Sequence, residues 1–232
     1  IDCGVQLDHV NFFDSDGNLR IKRVWNQPVS DGTPPEGYTY GCEYKTEEEI
    51  IAAGYDETSE THACHVMGIA AGSYTDNDFY GIAPKSDIVF VSYNYNDNTV
   101  GWNSISDAIA YIYDYADSVD KPCVVNISLG DTYGPHDGCS IFDQVCDALQ
   151  GEGRLIVGSV GNEGTNRQHI KKTFTTPQDS LRTFVSLLTK YGSYYATQCD
   201  FYGEHNKVFD VKVCVVKTSN GVIINETESV SS

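Results

Sequence analysis

The composition of the chain narrows the classes of protein to which it can belong. Its 232 residues are enough for one good-sized domain, and 40% hydrophobic with 12% aromatic residues indicate a packed globular protein. Fifteen basic residues against 33 acidic ones give a net charge of −18, which repels phosphate backbones and argues against nucleic-acid binding. No run approaches the roughly 18 apolar residues that a membrane-spanning helix needs.

Up to about residue 165, strand and helix patterns alternate. NFFDSDGNLRIKRVW predicts a hairpin with Asp16-Gly17 in the turn and alternate side chains from Leu19 to Trp25 on one face. YKTEEEIIAAG predicts a short helix capped by Thr46, and SISDAIAYIYDYADSV and GCSIFDQVCDALQGEG have helical periodicity. SDIVFVSY, CVVNISL and RLIVGSVG predict strands buried on both faces. This order predicts an α/β fold, a largely parallel sheet with helices on both faces.

The pattern changes to short β-type runs after about residue 165. In VFDVKVCVVKTSNGVII, apolar side chains from Phe209 to Val215 alternate with Asp210, Lys212 and Cys214, which predicts a half-buried antiparallel strand. Asn220-Gly221 predicts a hairpin turn. We therefore expect an α/β domain over residues 1–168 and the beginning of a β-rich module over residues 169–232.

Eight cysteines are scattered along the chain with no CxxC spacing. They therefore match neither a zinc ribbon nor a dense disulfide framework. Several lie in apolar runs, as Cys123 does in KPCVVNISLG, where we expect a small buried thiol that packs as an apolar side chain.

The segment ETHACHVMGIAAG, residues 60–72, concentrates two histidines in front of small and apolar residues. The absence of charge from His62 to Gly72 predicts a buried helix that packs closely on the sheet. His62 and His65 share one face of that helix, which leaves a metal site open, but the HExxH arrangement of zinc proteases is not present. A hydrogen-bonded core histidine is the other interpretation, and only the motifs around His62 argue against it.

Five segments, in order along the chain, resemble the subtilisin family of serine proteases (subtilases, peptidase family S8). IDCGVQLDHVNF is similar to the D-T/S-G-I/V segment, THACHVMGIAAG to the H-G-T-H-V-A-G-I-A-A-G helix, and YGIAPKSDIVFVSY to the G-V-A-P-x-A-x-L segment. VVNISLG resembles V-I-N-M-S-L-G, and SVGNEG resembles the A-x-G-N-E/D-G turn. DGNLRIKRVWNQ and YGCEYKTEEEI further resemble the branch with the clostridial Csp-type proteases. Members of that branch carry a β-rich, jelly-roll-like module between the Asn turn and the catalytic serine.

The resemblance implies a subtilisin-like serine endopeptidase that hydrolyses peptide bonds through an Asp-His-Ser triad. Such a reaction needs a hydroxyl nucleophile, a base for its proton, a carboxylate that orients the base, and donors for the oxyanion. By motif position, Asp2 would orient His62, His62 would act as general base and then acid, and Asn162 would donate to the oxyanion. A carboxylate partner is physically needed because a helix N-terminus disfavours the imidazolium form of His62.

The same motifs imply a substrate-binding segment along which an extended peptide would add as a strand. The residues assigned to it are Ser128, Leu129, Gly130 and Gly161. His65 corresponds to the family's buried structural histidine. Two assignments have simpler alternatives: Asp2 could be a turn residue at a frayed terminus, and Asn162 could occupy a left-handed turn position.

The chain departs from the family pattern at several motif positions. Ala63 and Cys64 replace the usual Gly and Thr after the histidine, and Cys3 replaces the usual Thr or Ser after the aspartate. The serine motif G-T-S-M/A-x-P does not occur in the 232 residues, and KTSNG at 217–221 does not match it. We therefore expect the N-terminal part of a protease, inactive by itself, with the serine in a further segment of its parent chain.

Two other functions stay open at the level of the sequence. The chain could be a catalytically inactive subtilase-fold pseudoprotease that acts as a binding or regulatory scaffold, of which the Csp-type branch has examples. A parent sequence without the Gly-Thr-Ser motif would favour that function. A nucleotide-binding α/β domain is disfavoured because the chain has no GxGxxG or GxxxxGK loop.

We expect no cofactor, although calcium has two candidate positions. Asp14, Asp16 and Asn18 resemble the start of a calcium loop, but no bidentate Glu follows, so a plain hairpin turn is favoured. The stretch 76–78 lies where many subtilases bind calcium, without a specific match. The expected partners are a peptide or protein substrate and the missing C-terminal portion of the parent chain. The resemblance implies an extracytoplasmic or secreted protein.

Overall fold

The computed structural model describes residues 1–73, 80–93, 102–130, 132, 134–185, 189–191, 194–197, 199–217 and 219–231. The chain divides into two compact units: Ile1–Thr132 with Asp137–Gln168, and Tyr133–His136 with His169–Ser232. Among the described residues, no helix combines the length and apolar character needed to cross a membrane.

The first unit is built on strands that are mostly parallel. In chain order they are β1 (Ile21–Asn26), β2 (Cys42–Tyr44), β3 (Ile88–Ser92), β4 (Cys123–Ile127) and β5 (Arg154–Gly158). β1 lies between antiparallel β2 and parallel β3, and β4 pairs with β5 in parallel. The predicted α/β architecture with a largely parallel sheet is confirmed for this unit.

The first two residues of the chain connect the β1–β3 group to the β4–β5 pair. The Asp2 N–H donates to the carbonyl of Val91 at 3.2 Å, and the Tyr93 N–H donates to the carbonyl of Asp2 at 2.9 Å. On the other side, the nitrogen of Ile1 donates to the carbonyl of Asn126 at 2.9 Å. Residues 1 and 2 therefore run between β3 and β4 as a short extra strand, the terminal strand.

Four α-helices and one 3₁₀ helix complete the described part of the first unit. They are the 3₁₀ helix Val10–Phe12, α1 (Glu47–Ala53), α2 (His62–Ala71), α3 (Trp102–Ser118) and α4 (Ile141–Leu149). The α1 helix begins with a reciprocal capping box between Thr46 and Glu49, and α4 begins with one between Ser140 and Asp143. The four α-helices lie where the sequence predicts them.

Two apolar clusters fill the first unit, and they leave part of the sheet uncovered. Ile105, Ile109 and Ile112 of α3 pack with Trp25, Val91 and Val125, and Phe12, Val24, Ile50 and Phe90 belong to the second cluster. β3 is buried on both faces, as predicted. The same prediction is wrong for β4 and β5, because Val124, Leu155 and Val157 are exposed. An apolar run does not tell whether something covers each face.

The α2 helix is far less buried than the sequence predicts. Ala63 is its one buried residue, while His65 and Ile69 are exposed. Cys64, Met67 and Ala71 pack against the second cluster from one side of the helix. The prediction of a fully buried helix is therefore wrong, and so is a buried position for His65. The apolar face that looks away from this cluster has no covering element in the described part of the chain.

The predicted first hairpin has the expected turn and a different first arm. The Asp14 carboxylate accepts from the amides of Asp16 and Asn18, each at 2.9 Å, and so holds the turn. The chain before the turn forms the 3₁₀ helix, with a single bridge between Phe13 and Leu19. The alternation predicted for the second arm is wrong, because β1 is a central strand with apolar neighbours on both faces.

The described residues of the second unit form three antiparallel pairs of short strands. β6 (Thr189–Tyr191) pairs with β7 (Tyr194–Ala196), β8 (Asp210–Val211) with β11 (Val230–Ser231), and β9 (Cys214–Val216) with β10 (Ile223–Glu226). The Asn220-Gly221 turn joins β9 to β10 as predicted, with φ +70° at Gly221. The continuous strand predicted over 209–215 is wrong, because it breaks between β8 and β9 and Val213 and Val215 are exposed. A jelly-roll arrangement stays a prediction.

Candidate active site

The side chains of Asp2 and His62 meet at the end of the terminal strand and the start of α2. Nδ1 of His62 lies 2.8 Å from Oδ1 and 2.9 Å from Oδ2 of Asp2. The Asp2 side chain is 3% exposed, whereas that of His62 is 47% exposed. A buried carboxylate that engages Nδ1 leaves Nε2 as the imidazole nitrogen that can exchange a proton with a bound molecule.

Main-chain hydrogen bonds fix the position of His62 relative to Asp2. The N–H of Ala63 donates to the carbonyl of Cys3 at 2.8 Å, and the N–H of Cys64 donates to the carbonyl of Gly4 at 3.0 Å. Thr61, the N-cap residue of α2, makes no capping bond with its side chain. The first amides of the helix are therefore satisfied by the segment that carries Asp2.

Gly4 permits this close approach of two main-chain segments. Its φ is +83°, in the region that favours glycine. A Cβ at this position would lie 2.5 Å from the carbonyl carbon of Glu60 and 2.7 Å from the nitrogen of Thr61. No residue other than glycine fits here unless the loop before His62 moves.

A second carboxylate, that of half-buried Asp56, accepts hydrogen bonds from the same segment. Its Oδ1 accepts from the N–H of Val5 at 2.6 Å, and its Oδ2 accepts from the N–H of Gly4 at 3.1 Å and from Oγ of Ser92 at 2.6 Å. Burial raises the pKa of Asp56, and the hydrogen bonds from these three donors act in the opposite direction. No motif in the sequence singles out Asp56, because its partners are distant along the chain.

Cys3 lies beside the Asp2–His62 pair, yet its thiol is poorly suited to act as a nucleophile. Burial raises the pKa of Cys3 to about 12, and the negative charges of Asp2, Asp56, Glu60 and Glu57 add to the effect. Because the thiolate is the reactive form, the thiol is inert at neutral pH. All eight cysteines are free thiols in the structure.

The remaining predicted site residues follow parallel strands at their carboxyl ends. Asp2 bridges to Ser92 at the end of β3, Ser128–Gly130 follow β4, and Gly161 and Asn162 follow β5. The carboxyl ends of parallel strands share one edge of a sheet, where ligands bind in open α/β folds. The structure therefore gathers these residues at the edge that carries Asp2 and His62.

Local hydrogen bonds shape the two loops that follow β4 and β5. Nδ2 of Asn126 donates to Oγ of Ser128 at 3.0 Å, and Oγ of Ser159 donates to the carbonyl of Leu129 at 3.0 Å. Asn162 is exposed, and its N–H donates to Oε2 of Glu163 at 2.8 Å. No hydrogen bond joins Asn162 to Asp2 or His62 among the residues that the structure describes.

Comparison with known families identifies the family of the chain. Residues 1–189 match the model of the subtilase family, Peptidase_S8. The chain belongs to the subtilase family. The proteins to which this subtilase is related are hydrolases, and more specifically serine proteases of peptidase family S8.

Two similar proteins and one similar solved structure are proteases by name, in agreement with this family. The subtilase is 26% identical over 180 residues to "Subtilisin-like protease 3" of Pseudogymnoascus destructans, and 30% identical over 104 residues to "Subtilisin" of Bacillus sp. strain TA39. These alignments cover 75% and 44% of this chain but 34% and 24% of the relatives. The structure of the Clostridium perfringens CspB protease matches with a TM-score of 0.57 and 27% identity, over 71% of this chain and 35% of that one. The subtilase thus spans about a third or less of their length.

Neither candidate calcium position gains support from the described residues. The Asp14 carboxylate is occupied by the turn, and its hydrogen bonds with Asn18 and Asp16 hold its pKa below the usual range. The stretch 76–78 lies outside the described residues. In the described part of the subtilase, no group of three or more His, Cys, Asp or Glu side chains is placed to hold a metal ion, and this includes the neighbourhood of His62 and His65.

Proposed function

We propose that this subtilase provides the acid–base part of a subtilisin-like serine endopeptidase that acts on peptides or proteins. The observation that carries the proposal is the contact between buried Asp2 and half-exposed His62. His62 would take the proton of a serine hydroxyl and then give it to the leaving amine. Asp2 would hold the imidazole in the required tautomer and stabilise its charged form.

The loops after β4 and β5 would bind the substrate in this proposal. An extended peptide would pair with Ser128, Leu129 and Gly130, with Gly161 beside it, as a strand added to the sheet. The side-chain amide of Asn162 would donate to the oxyanion. The exposure of Gly130, Gly161 and Asn162 at the carboxyl edge supports this assignment.

We further propose that the serine belongs to another segment of the parent chain. The first support is the sequence, because the family's G-T-S motif does not occur within the 232 residues. The second is the apolar surface formed by Val124, Leu155 and Val157 on the sheet, with Ile69 exposed on α2. Burial of each apolar side chain of this kind stabilises a fold by about 1.5–3 kcal/mol. Packing of a further segment on this surface would therefore be favourable.

The assignment of the two parts of the chain follows from this proposal. Residues 1–168 would be the N-terminal part of the peptidase domain, and residues 169–232 the beginning of a β-rich insert of the Csp-type branch. The protein would act outside the cytoplasm, and no proposed step of the reaction depends on a cofactor or on calcium.

The test is to restore the downstream segment of the parent, in the same chain or as a separate fragment. The 232-residue chain alone should be inert toward peptides and serine-directed phosphonate probes. The restored protein should cleave peptides and lose that activity on His62→Ala or on substitution of the restored serine. His65→Ala, an exposed position on the same helix, is the matched control and should retain activity.

Two results would contradict the proposal. One is phosphonate labelling of the isolated chain at a residue such as Ser128 or Ser219. The other is a restored protein that folds with the Asp2–His62 contact intact and cleaves no peptide, which would favour a scaffold without catalytic activity.

A further inference from the structure

The peptide unit between Cys3 and Gly4 connects the start of α2 to the carboxylate of Asp56. Its carbonyl accepts a hydrogen bond from the N–H of Ala63, the second residue of α2, at 2.8 Å. Its N–H donates to Oδ2 of Asp56 at 3.1 Å. The C=O and N–H groups of a trans peptide point in opposite directions, so a continuous chain of two hydrogen bonds runs from the helix amide to the carboxylate.

The next peptide unit, between Gly4 and Val5, forms a second chain of the same kind. Its carbonyl accepts from the N–H of Cys64 at 3.0 Å, and its N–H donates to Oδ1 of Asp56 at 2.6 Å. Hydrogen bonds in such chains polarise one another, so a carboxylate at one end makes the carbonyl at the other end a better acceptor. Asp56 thus strengthens the two bonds that hold the first turn of α2, the turn that carries His62.

The Asp56 carboxylate is itself held in place by the sheet. The carbonyl of Asp56 accepts from Nδ2 of Asn26, the last residue of β1, at 3.0 Å, and its N–H donates to the carbonyl of Val5 at 3.4 Å. Oγ of Ser92, the last residue of β3, donates to Oδ2 of Asp56 at 2.6 Å. These contacts tie the two chains of hydrogen bonds to two neighbouring strands.

A carboxylate is the group that satisfies the donors converging on Asp56. Three donors meet its two oxygens, namely the N–H groups of Gly4 and Val5 and the hydroxyl of Ser92. The side chain of an asparagine would offer one acceptor oxygen, and its NH₂ group would face a donor. None of the ion pairs among the described residues includes Asp56, so these donors and not a cation hold its charge.

We propose that Asp56 is a positioning residue for the Asp2–His62 pair, and that it acts on the histidine through the two peptide units and the first turn of α2. Without its carboxylate the two carbonyls would be weaker acceptors. The first turn of α2, which has no side-chain cap of its own, would then move away from Asp2. The inference rests on the proposed protease function, in which His62 is the base, and adds a residue that sets the geometry of this base.

The test measures the pair in the 232-residue chain and does not depend on hydrolysis. Asp56→Asn is compared with the wild type by NMR, with the Nδ1–H resonance of His62 and the amide protons of Ala63 and Cys64 as readouts. We expect the His62 resonance to weaken or vanish. The two amide protons should move upfield, because a weaker hydrogen bond leaves the proton more shielded. The amide resonances of α3 should stay in place.

Two matched variants separate positioning from a general loss of stability. Ser92→Ala removes the third donor to the carboxylate and leaves both chains of hydrogen bonds in place, so the His62 resonance should stay. Thr46→Ala removes the side-chain cap of α1 and so destabilises a different helix. It should leave the resonances of His62 and of the first turn of α2 unchanged.

Asp56→Ala provides a test by chemical rescue, which also covers an asparagine variant that fails to fold. Asp56 lines an open cavity of about 370 Å³, so formate can enter the space that the shortened side chain leaves. Formate offers the same two acceptor oxygens as the lost carboxylate. It should restore the His62 resonance, or the fold itself where the variant is unfolded, whereas chloride at the same ionic strength should restore neither.

Kinetics of the restored protein complete the experiment. Asp56→Asn should lower kcat about 100-fold with little change in KM, because a misplacement of about 1 Å in a catalytic group is enough for such a loss. An active restored protein in which this variant keeps the wild-type kcat would contradict the role of Asp56 and leave the protease function in place.

The outcomes in the 232-residue chain are equally distinct. An unchanged His62 resonance in Asp56→Asn, an equal change in Thr46→Ala, or a failure of formate to restore more than chloride does would overturn the positioning role. The expected resonances and rescue, combined with a restored protein that cleaves no peptide, would support the positioning role and contradict only the protease function.

Discussion

Replacement of Gly4 by alanine should separate Asp2 from His62 without touching either side chain. The new Cβ would lie 2.5 Å from the carbonyl carbon of Glu60, whereas ordinary contact begins at 3.4 Å. The obstructing atoms are main-chain atoms, so the loop before His62 must retreat by the difference between 3.4 and 2.5 Å, about 0.9 Å. Added to the 2.8 Å between Nδ1 of His62 and Oδ1 of Asp2, such a retreat exceeds hydrogen-bond reach.

The cost of this substitution has two parts that a control can separate. Alanine at a left-handed φ costs roughly 1–2 kcal/mol, and forced overpacking costs roughly 1–3 kcal/mol more. Gly17→Ala is the matched control, because Gly17 has φ +85° and no atom within 4 Å of its added Cβ. It should therefore show only the first part.

Urea unfolding followed by circular dichroism measures both costs, and the hydrogen-bonded Nδ1–H resonance of His62 reports the contact with Asp2. We expect Gly4→Ala to lower the free energy of unfolding more than Gly17→Ala does, and to weaken or remove the His62 resonance. Equal stability of the two variants, with an unchanged His62 resonance, would refute the argument that Gly4 sets the geometry of the pair.

Three further predictions concern groups around the site. At pH 8, a thiol reagent should label Cys3 about a thousand-fold more slowly in the native chain than in urea, because burial raises its pKa from 9.0 to about 12; equal rates would contradict this. Burial raises the pKa of Asp56 above 3.8, so the native state binds its proton more readily than the unfolded state. Relative to Asp56→Asn, the wild-type free energy of unfolding should therefore fall as pH rises through the native pKa of Asp56. Urea unfolding at a series of pH values measures this difference, and an increase of the wild-type value with pH would contradict the prediction. Arg20 is buried and donates to the carbonyls of Ala71 and Ser86, so Arg20→Met should cost about 3 kcal/mol in urea unfolding, while exposed Arg182→Met should cost almost nothing.

Local signals in the sequence predicted the helices well. The capping residue Thr46 and the apolar periodicity of α3 depend on neighbours within one or two turns, so they can be read from a short window. The same holds for the Asn220-Gly221 hairpin. The contact of Asp2 with His62 spans 60 residues, and only the order of family motifs pointed to it.

Features that depend on distant or absent partners could not be predicted. The apolar runs of α2 and β5 look the same whether or not another element covers them. The exposure of Ile69 and Leu155 therefore differs from the burial that the sequence predicted. Asp56 is an unremarkable loop residue until the fold brings Gly4 and Ser92 to it. A role created by convergence of segments leaves no local pattern.

The capping of α2 by the carbonyls of Cys3 and Gly4 has a consequence for how the protein folds. The first turn of this helix has no side-chain cap of its own, so it gains its hydrogen bonds only when a segment 60 residues earlier arrives. The start of α2 and the terminal strand should therefore form in one late, cooperative step. In hydrogen exchange, the amides of Ala63 and Cys64 should become exchangeable together with the amide of Asp2. A molecule that pulled the terminal strand out of the sheet would unwind the start of α2 at the same time, so the aspartate and the histidine would be withdrawn as one unit.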